Sequence, residues 1–219
     1  MKFYPALLSD SLETIAHQLE VARSLPQVKL VQVDILDGLF ADNLTVSLGD
    51  ITTLDFGDLK LDLHLMVEEP VDYVYELLDG SFSVPTRSVI AQVERMSFQD
   101  QYVKELKDHQ VKVGISLDLF TPLTEIEEQI FPDLDQIQLM AVEAGFQAQK
   151  LNELIYQKVT DLKQSLTDRR LQCEIIVDGG VKLDNLKKLK QAGADAVAVG
   201  SMLWTAKDPR EVADKIANI

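Results

Sequence analysis

Short runs rich in Val, Ile and Leu alternate along this chain with longer segments in which apolar residues recur every three or four positions. Short apolar runs alternating with longer amphipathic segments read as strands of a parallel sheet covered by helices. They span Phe3–Leu8, Leu30–Leu36, Lys60–Met66, Ser88–Glu94, Val111–Leu117, Gln136–Val142, Cys173–Val177 and Ala196–Gly200. The intervening segments predict helices over Leu12–Ser24, Val71–Leu78, Phe98–Gln110, Pro122–Ile130, Lys150–Leu166, Leu183–Ala192 and Pro209–Ala217, with residues 44–58 carrying the faintest pattern. Eight strand–helix units in 219 residues predict a single domain, residues 1–219, folded as a lean closed (β/α)8 TIM barrel. An open doubly wound sheet is the alternative, because periodicity alone does not show closure.

Several helix ends carry their own signals. Asp10 with Glu13 resembles a capping box, and Ser97 precedes the helix whose first turn holds Asp100. Thr121-Pro122 and Asp208-Pro209 set a capping side chain before a proline that fits the first turn, and Gly193 follows a helix as a C-terminal stop should.

Polar residues interrupt the buried strands in a regular way. Side chains two apart share a face, so Gln32 groups with Asp34, Asp62 with His64, and Gln92 with Glu94, while the opposite parity is apolar. Asp178 ends the seventh strand. Burying unpaired carboxylates costs several kcal/mol each, so these groups need a common partner: each other, a metal, or a polar ligand. A purely structural hydrogen-bonded network stays open for any one of them. Asp34, His64 and Asp178 together point to a site, because barrels place chemistry at C-terminal strand ends. Asp178-Gly179-Gly180 and Gly200-Ser201 follow the last two strands, where glycines let backbone N–H groups approach a phosphate.

Composition narrows the classes. With 46% hydrophobic and 26% charged residues the chain can bury a full core. Its 36 acidic against 21 basic residues, a net charge of -15, argue against nucleic acid as a partner. Lys182 to Lys190 reads as the solvated face of a helix. The single cysteine, Cys173, forms no internal disulfide and reads as a packing residue. No run is long enough to span a membrane, and a cytoplasmic location is expected.

Motifs over almost the whole length carry a resemblance. They are Pro5-Ala6-Leu7-Leu8-Ser9; Val33-Asp34-Ile35-Leu36-Asp37-Gly38 with Phe40, Asn43 and Thr45; Asp62-Leu63-His64-Leu65-Met66-Val67; Gly114-Ile115-Ser116-Leu117 before Thr121-Pro122; Met140-Ala141-Val142-Glu143 before Gly145-Phe146; and Val177-Asp178-Gly179-Gly180. The chain resembles the ribulose-phosphate 3-epimerases, as a divergent member. The resemblance implies a ribulose-phosphate binding barrel and a homo-oligomer. It also implies interconversion of ribulose 5-phosphate and xylulose 5-phosphate through an enediolate, with Asp34 and Asp178 as the two proton-transferring carboxylates. It further implies one divalent metal ion, zinc, manganese, magnesium or iron, held by Asp34, His64 and Asp178, with Gln32 standing where a second histidine is usual. Gly179, Gly180, Gly200 and Ser201 match phosphate-binding positions, as do Gly145 and Ala148 in the loop after the sixth strand. Met66, Met140, Glu94 and Leu36 match the substrate pocket. The departures are Ala6 for serine, Gln32 and Gln92 for histidines, Asp118-Leu119 for asparagine and proline, and Gln147-Ala148 for two glycines. The amide of Gln32 favours manganese or magnesium over zinc. Two further readings stay open: a non-catalytic sugar-phosphate binding protein, and an epimerase of another ketose phosphate.

Overall fold

A computed structural model of the protein describes residues 1–80, 83–146 and 149–219. Eight parallel strands close into a barrel in sequential order: β1 (Lys2–Leu7), β2 (Leu30–Leu36), β3 (Lys60–Met66), β4 (Thr86–Gln92), β5 (Lys112–Leu117), β6 (Gln136–Met140), β7 (Glu174–Asp178) and β8 (Ala196–Val199). Closure is made by β1 against β8, with Pro5 opposite Val199, so the open-sheet alternative does not apply. The helices are α1 (Leu12–Ser24), α2 (Leu48–Ile51), α3 (Pro70–Leu78), α4 (Gln99–Asp108), α5 (Leu154–Arg169), α6 (Leu186–Ala192), α7 (Ser201–Trp204) and α8 (Pro209–Ala217). The main core lies between helices and sheet, where Ile15, Leu19 and Ala22 of α1 and Val159, Leu162 and Leu166 of α5 meet the outward side chains of the strands. Among the described residues no helix is long and apolar enough to cross a membrane.

Some local expectations differ from the structure. Residues Pro122–Ile130 form no α-helix. Two 3-10 segments, Leu123–Glu125 and Glu128–Asp133, connect β5 to β6. Pro132 lacks the N–H a helix needs, and the Gln99 amide takes over two backbone groups, donating to Glu125 O at 2.7 Å and accepting from Glu127 N at 3.0 Å. The cap of α1 is Ser11, which accepts from Thr14 N, rather than Asp10. Ser97 does not cap α4 and instead bonds Glu69. The faint stretch 44–58 holds α2, closed by a Ser47/Asp50 capping box. Helix α5 starts at Leu154, four residues late, because Asn152 leaves the helical path to donate its N–H to Ala141 O at 2.9 Å. The Asp208 cap and the Gly193 stop, at φ +116°, are as expected. Cys173 is partly buried against the core, and burial raises its thiol pKa well above the ordinary value.

Inside the barrel the side chains lie in tiers. At the N-terminal end Asp62, 1% exposed, accepts a two-pronged guanidinium contact from Arg87. Glu174 accepts there from Lys2 at 2.9 Å, Tyr4 at 2.8 Å and Gln136 at 3.1 Å. Above it Tyr4, Leu30, Ile90, Ile176 and Ala196 form an apolar plug. Gln32, His64, Gln92 and Gln138, all buried, stand two residues beyond Leu30, Asp62, Ile90 and Gln136 on their strands. The mouth follows.

Candidate active site at the C-terminal barrel mouth

Strand parity turns Asp34 of β2, His64 of β3 and Asp178 of β7 inward at the C-terminal end. One ligand atom from each lies within 4.8 Å of the others, a donor set of two carboxylates and an imidazole suited to a divalent metal. His64 Nδ1 is 3.0 Å from Asp34 Oδ1 and 3.8 Å from Asp178 Oδ2. Gln32 Nε2 donates to both carboxylates, at 2.8 Å to Asp34 Oδ1 and 2.8 Å to Asp178 Oδ2. Its Oε1 is buried without a partner among the described residues. An orphaned acceptor beside two carboxylates fits a cation, since turning that oxygen toward an ion would satisfy it.

Burial and the adjacent Asp34 carboxylate raise the pKa of Asp178, with His64 and the Gln32 amide acting against them. Burial alone would lower the pKa of His64, but the hydrogen bond and charge of Asp34, then the charges of Asp178 and Asp118, raise it.

A pocket opens directly above this cluster. It is lined by Asp34 and Asp178, by Met66 and Met140, and by Gly145, Gly179, Gly180, Gly200 and Ser201. Leu36 is not on its wall but packs behind both methionines, 2% exposed. The loops interlock. Asn43 of the β2 loop donates to Gly145 O at 2.6 Å, and Asn185 donates to Gly180 O at 3.0 Å. Gly180, at φ +63°, lies against the backbone of Leu151, so the turns after β6 and β7 touch where a side chain would not fit.

One sequence expectation meets a different geometry, and one falls on residues that are not described. Glu94 does not share the inward face with Gln92, because β4 ends at Gln92 and Val93–Arg95 forms a 3-10 turn. Glu94 is exposed there and accepts from Asp118 N at 2.7 Å. Asp62 shares the inward face with His64, as parity predicts, but lies nearer the N-terminal end of the barrel, where it pairs with Arg87. Ala148 falls outside the described residues. Gln92, by contrast, does face inward, its Nε2 3.2 Å from His64 Nε2. One residue that sequence reasoning missed joins the cluster: Gln138 of β6, whose Nε2 is 3.0 Å from Asp178 Oδ2 and 3.2 Å from His64 Nδ1. Its parity with Met140 was the available signal.

Residues 2–204 match the family model described as the ribulose-phosphate 3 epimerase family. The chain is 31% identical over 208 residues to the chloroplastic ribulose-5-phosphate-3-epimerase of Arabidopsis thaliana, covering 94% of this chain and 73% of that one. It is 30% identical over 222 residues to a ribulose-phosphate 3-epimerase of Helicobacter pylori, covering 100% and 98%. Among solved structures, a 3-hexulose-6-phosphate synthase from Salmonella typhimurium superposes with TM-score 0.68 at 16% identity over 100% of this chain and 97% of that one, a likeness of fold. With a matching family model over most of its length and relatives at this identity, the chain belongs to the ribulose-phosphate 3-epimerase family.

Proposed function

We propose that this protein is a cytoplasmic epimerase of a ketopentose 5-phosphate, interconverting ribulose 5-phosphate and xylulose 5-phosphate by proton transfer at the carbon beside the ketone. The observation that carries this reading is the meeting of Asp34 and Asp178 on one amide nitrogen, at 2.8 Å each, below a pocket both of them line. Inverting a carbon without exchanging its substituents takes one base and one acid on opposite faces. Asp34 takes the proton from one epimer. Asp178, whose pKa is raised by burial and by the adjacent Asp34 carboxylate, delivers a proton to the other face, and the roles reverse in the back reaction.

Asp34, His64 and Asp178 would hold a divalent ion, with Gln32 as a further donor, and the ion would supply electrophilic stabilisation of the charge on the enediolate oxygens. Met66 and Met140, 1% and 4% exposed, keep water from the reacting carbon. Backbone N–H groups of the turns at Gly179-Gly180 and Gly200-Ser201 bind the phosphate, with Gly145 closing the opposite wall.

The test is conversion of ribulose 5-phosphate in D2O with manganese present, followed by NMR for both net epimerisation and deuterium at the reacting carbon. Asp34→Asn and Asp178→Asn should each lower net epimerisation by about 10²–10⁴-fold. Supplied with each epimer in turn, each variant should still wash deuterium into one epimer only, a different one in each variant. A wild-type protein that binds the sugar phosphate but exchanges no proton would favour a non-catalytic binding role. That reading draws support from Gln32, which stands where the family has a histidine and donates N–H to both carboxylates.

A further inference from the structure

Gln138 is fully buried on β6, and its side chain enters the carboxylate cluster from the side opposite Gln32 in the chain order of strands. Its Nε2 is 3.0 Å from Asp178 Oδ2 and 3.2 Å from His64 Nδ1. Gln32 Nε2 adds 2.8 Å contacts to Asp34 and Asp178 and lies 3.4 Å from the same His64 Nδ1. Five atoms from four strands therefore share one small volume. The Oε1 atoms of both glutamines are buried and have no hydrogen-bond partner among the described residues.

These separations are those of neighbouring donors around a small divalent ion, since ligands at about 2.1 Å in an octahedral shell stand roughly 3 Å from one another. A half-turn of a glutamine amide exchanges its nitrogen and oxygen with little change in shape. It brings to the cluster the acceptor that is now unpartnered, at the place the donor now holds.

We propose that Gln138 is a ligand of the divalent ion, acting as a pair with Gln32. This rests on the reading of Asp34, His64 and Asp178 as a metal centre. Without an ion, the two amides donate N–H to the carboxylates and hold them together. With an ion, both turn their oxygens to it. The donor set becomes four oxygens and one imidazole nitrogen, which suits manganese or magnesium better than zinc with its preference for few nitrogen and sulfur ligands. Gln138 thereby supplies a donor on β6, a strand outside the sequence-derived ligand set.

The experiment is titration of the ion-free full-length protein with Mn²⁺, reading free Mn²⁺ by its electron paramagnetic resonance signal, for wild type, Gln138→Leu and Gln138→Glu. Gln138→Met, closer in shape, replaces the leucine variant if thermal melts show that variant unfolded. Wild type should bind one Mn²⁺, and the leucine or methionine variant should bind at least about tenfold more weakly. Gln138→Glu should bind at least as tightly as wild type, because a carboxylate oxygen takes the place of the amide oxygen. If Gln138 served only to donate N–H to Asp178, glutamate would be the worst of the variants, having no N–H to give and a charge that repels Asp178. That order overturns the proposal, as does apolar-variant affinity within twofold of wild type. Absence of Mn²⁺, Mg²⁺ and Zn²⁺ binding in wild type would remove the metal centre itself, whereas wild-type binding that Gln138 variants leave unchanged removes only the ligand role of Gln138.

Discussion

Replacing Gly180 by alanine measures how rigidly the β6 and β7 turns are pressed together. At φ +63° an L-residue is in the left-handed region, which costs about 1–2 kcal/mol. The reduced freedom of the unfolded chain returns about 0.4–1 kcal/mol. The new Cβ would also stand 2.2 Å from Leu151 N and 2.6 Å from Leu151 Cα, and backbone cannot swing aside as a side-chain tip can. Displacing it adds about 1–3 kcal/mol, the usual range for overpacking. The net expectation is a loss of roughly 1–4.5 kcal/mol, centred near 3. Gly80 supplies the control: it has φ +85° but, among the described residues, nothing within 4 Å of the added atom, so Gly80→Ala should cost only about 0–1.5 kcal/mol. Urea unfolding of both variants, compared at equal m-values, isolates the steric part. Phosphate-ligand affinity should fall in Gly180→Ala alone. Equal stability losses in the two variants would refute the reasoning, because Leu151 would then yield freely and the pocket wall would not be built on that contact.

Other perturbations probe other tiers of the barrel. Arg87→Met leaves Asp62, 1% exposed, without its guanidinium and should cost about 3–5 kcal/mol in urea unfolding. Activity per folded molecule should stay at the wild-type level, since this ion pair lies at the end away from the mouth; a stability loss below 1 kcal/mol would count against the pairing. In chelator, the stability due to the raised Asp178 pKa is fully present below the unfolded value of 3.8 and is lost as pH rises through the folded value. Asp178→Asn should therefore gain on wild type in melting temperature between acid and neutral pH, and parallel curves would contradict the shift. Lys158 donates to the carbonyls of Asp118 and Leu119, and burial lowers its ammonium pKa to about 8. Its acylation by acetic anhydride, with acetate as leaving group, followed by peptide mass spectrometry, should rise through about pH 8; a rise that waits for pH 10 would overturn the assignment.

Much of the architecture was legible in the chain itself. Apolar runs at regular spacing required buried parallel strands, and period-two parity put Gln32, Asp34, His64 and Asp178 on inward faces. Glycines after the last two strands marked where backbone lines the pocket. These features depend on residues near one another in sequence, where side-chain direction follows from the local backbone. Parity names a face but not a height along the barrel, and height comes from the register between strands. Register set Asp62 against Arg87 at the far end and brought Gln138 beside Asp178, 40 positions away in sequence. A local backbone turn after Gln92 moved Glu94 out of the inner face, and a tertiary bracket from Gln99 replaced the helix expected after Pro122. Contacts of that kind join distant segments, so they exist only once the barrel has closed.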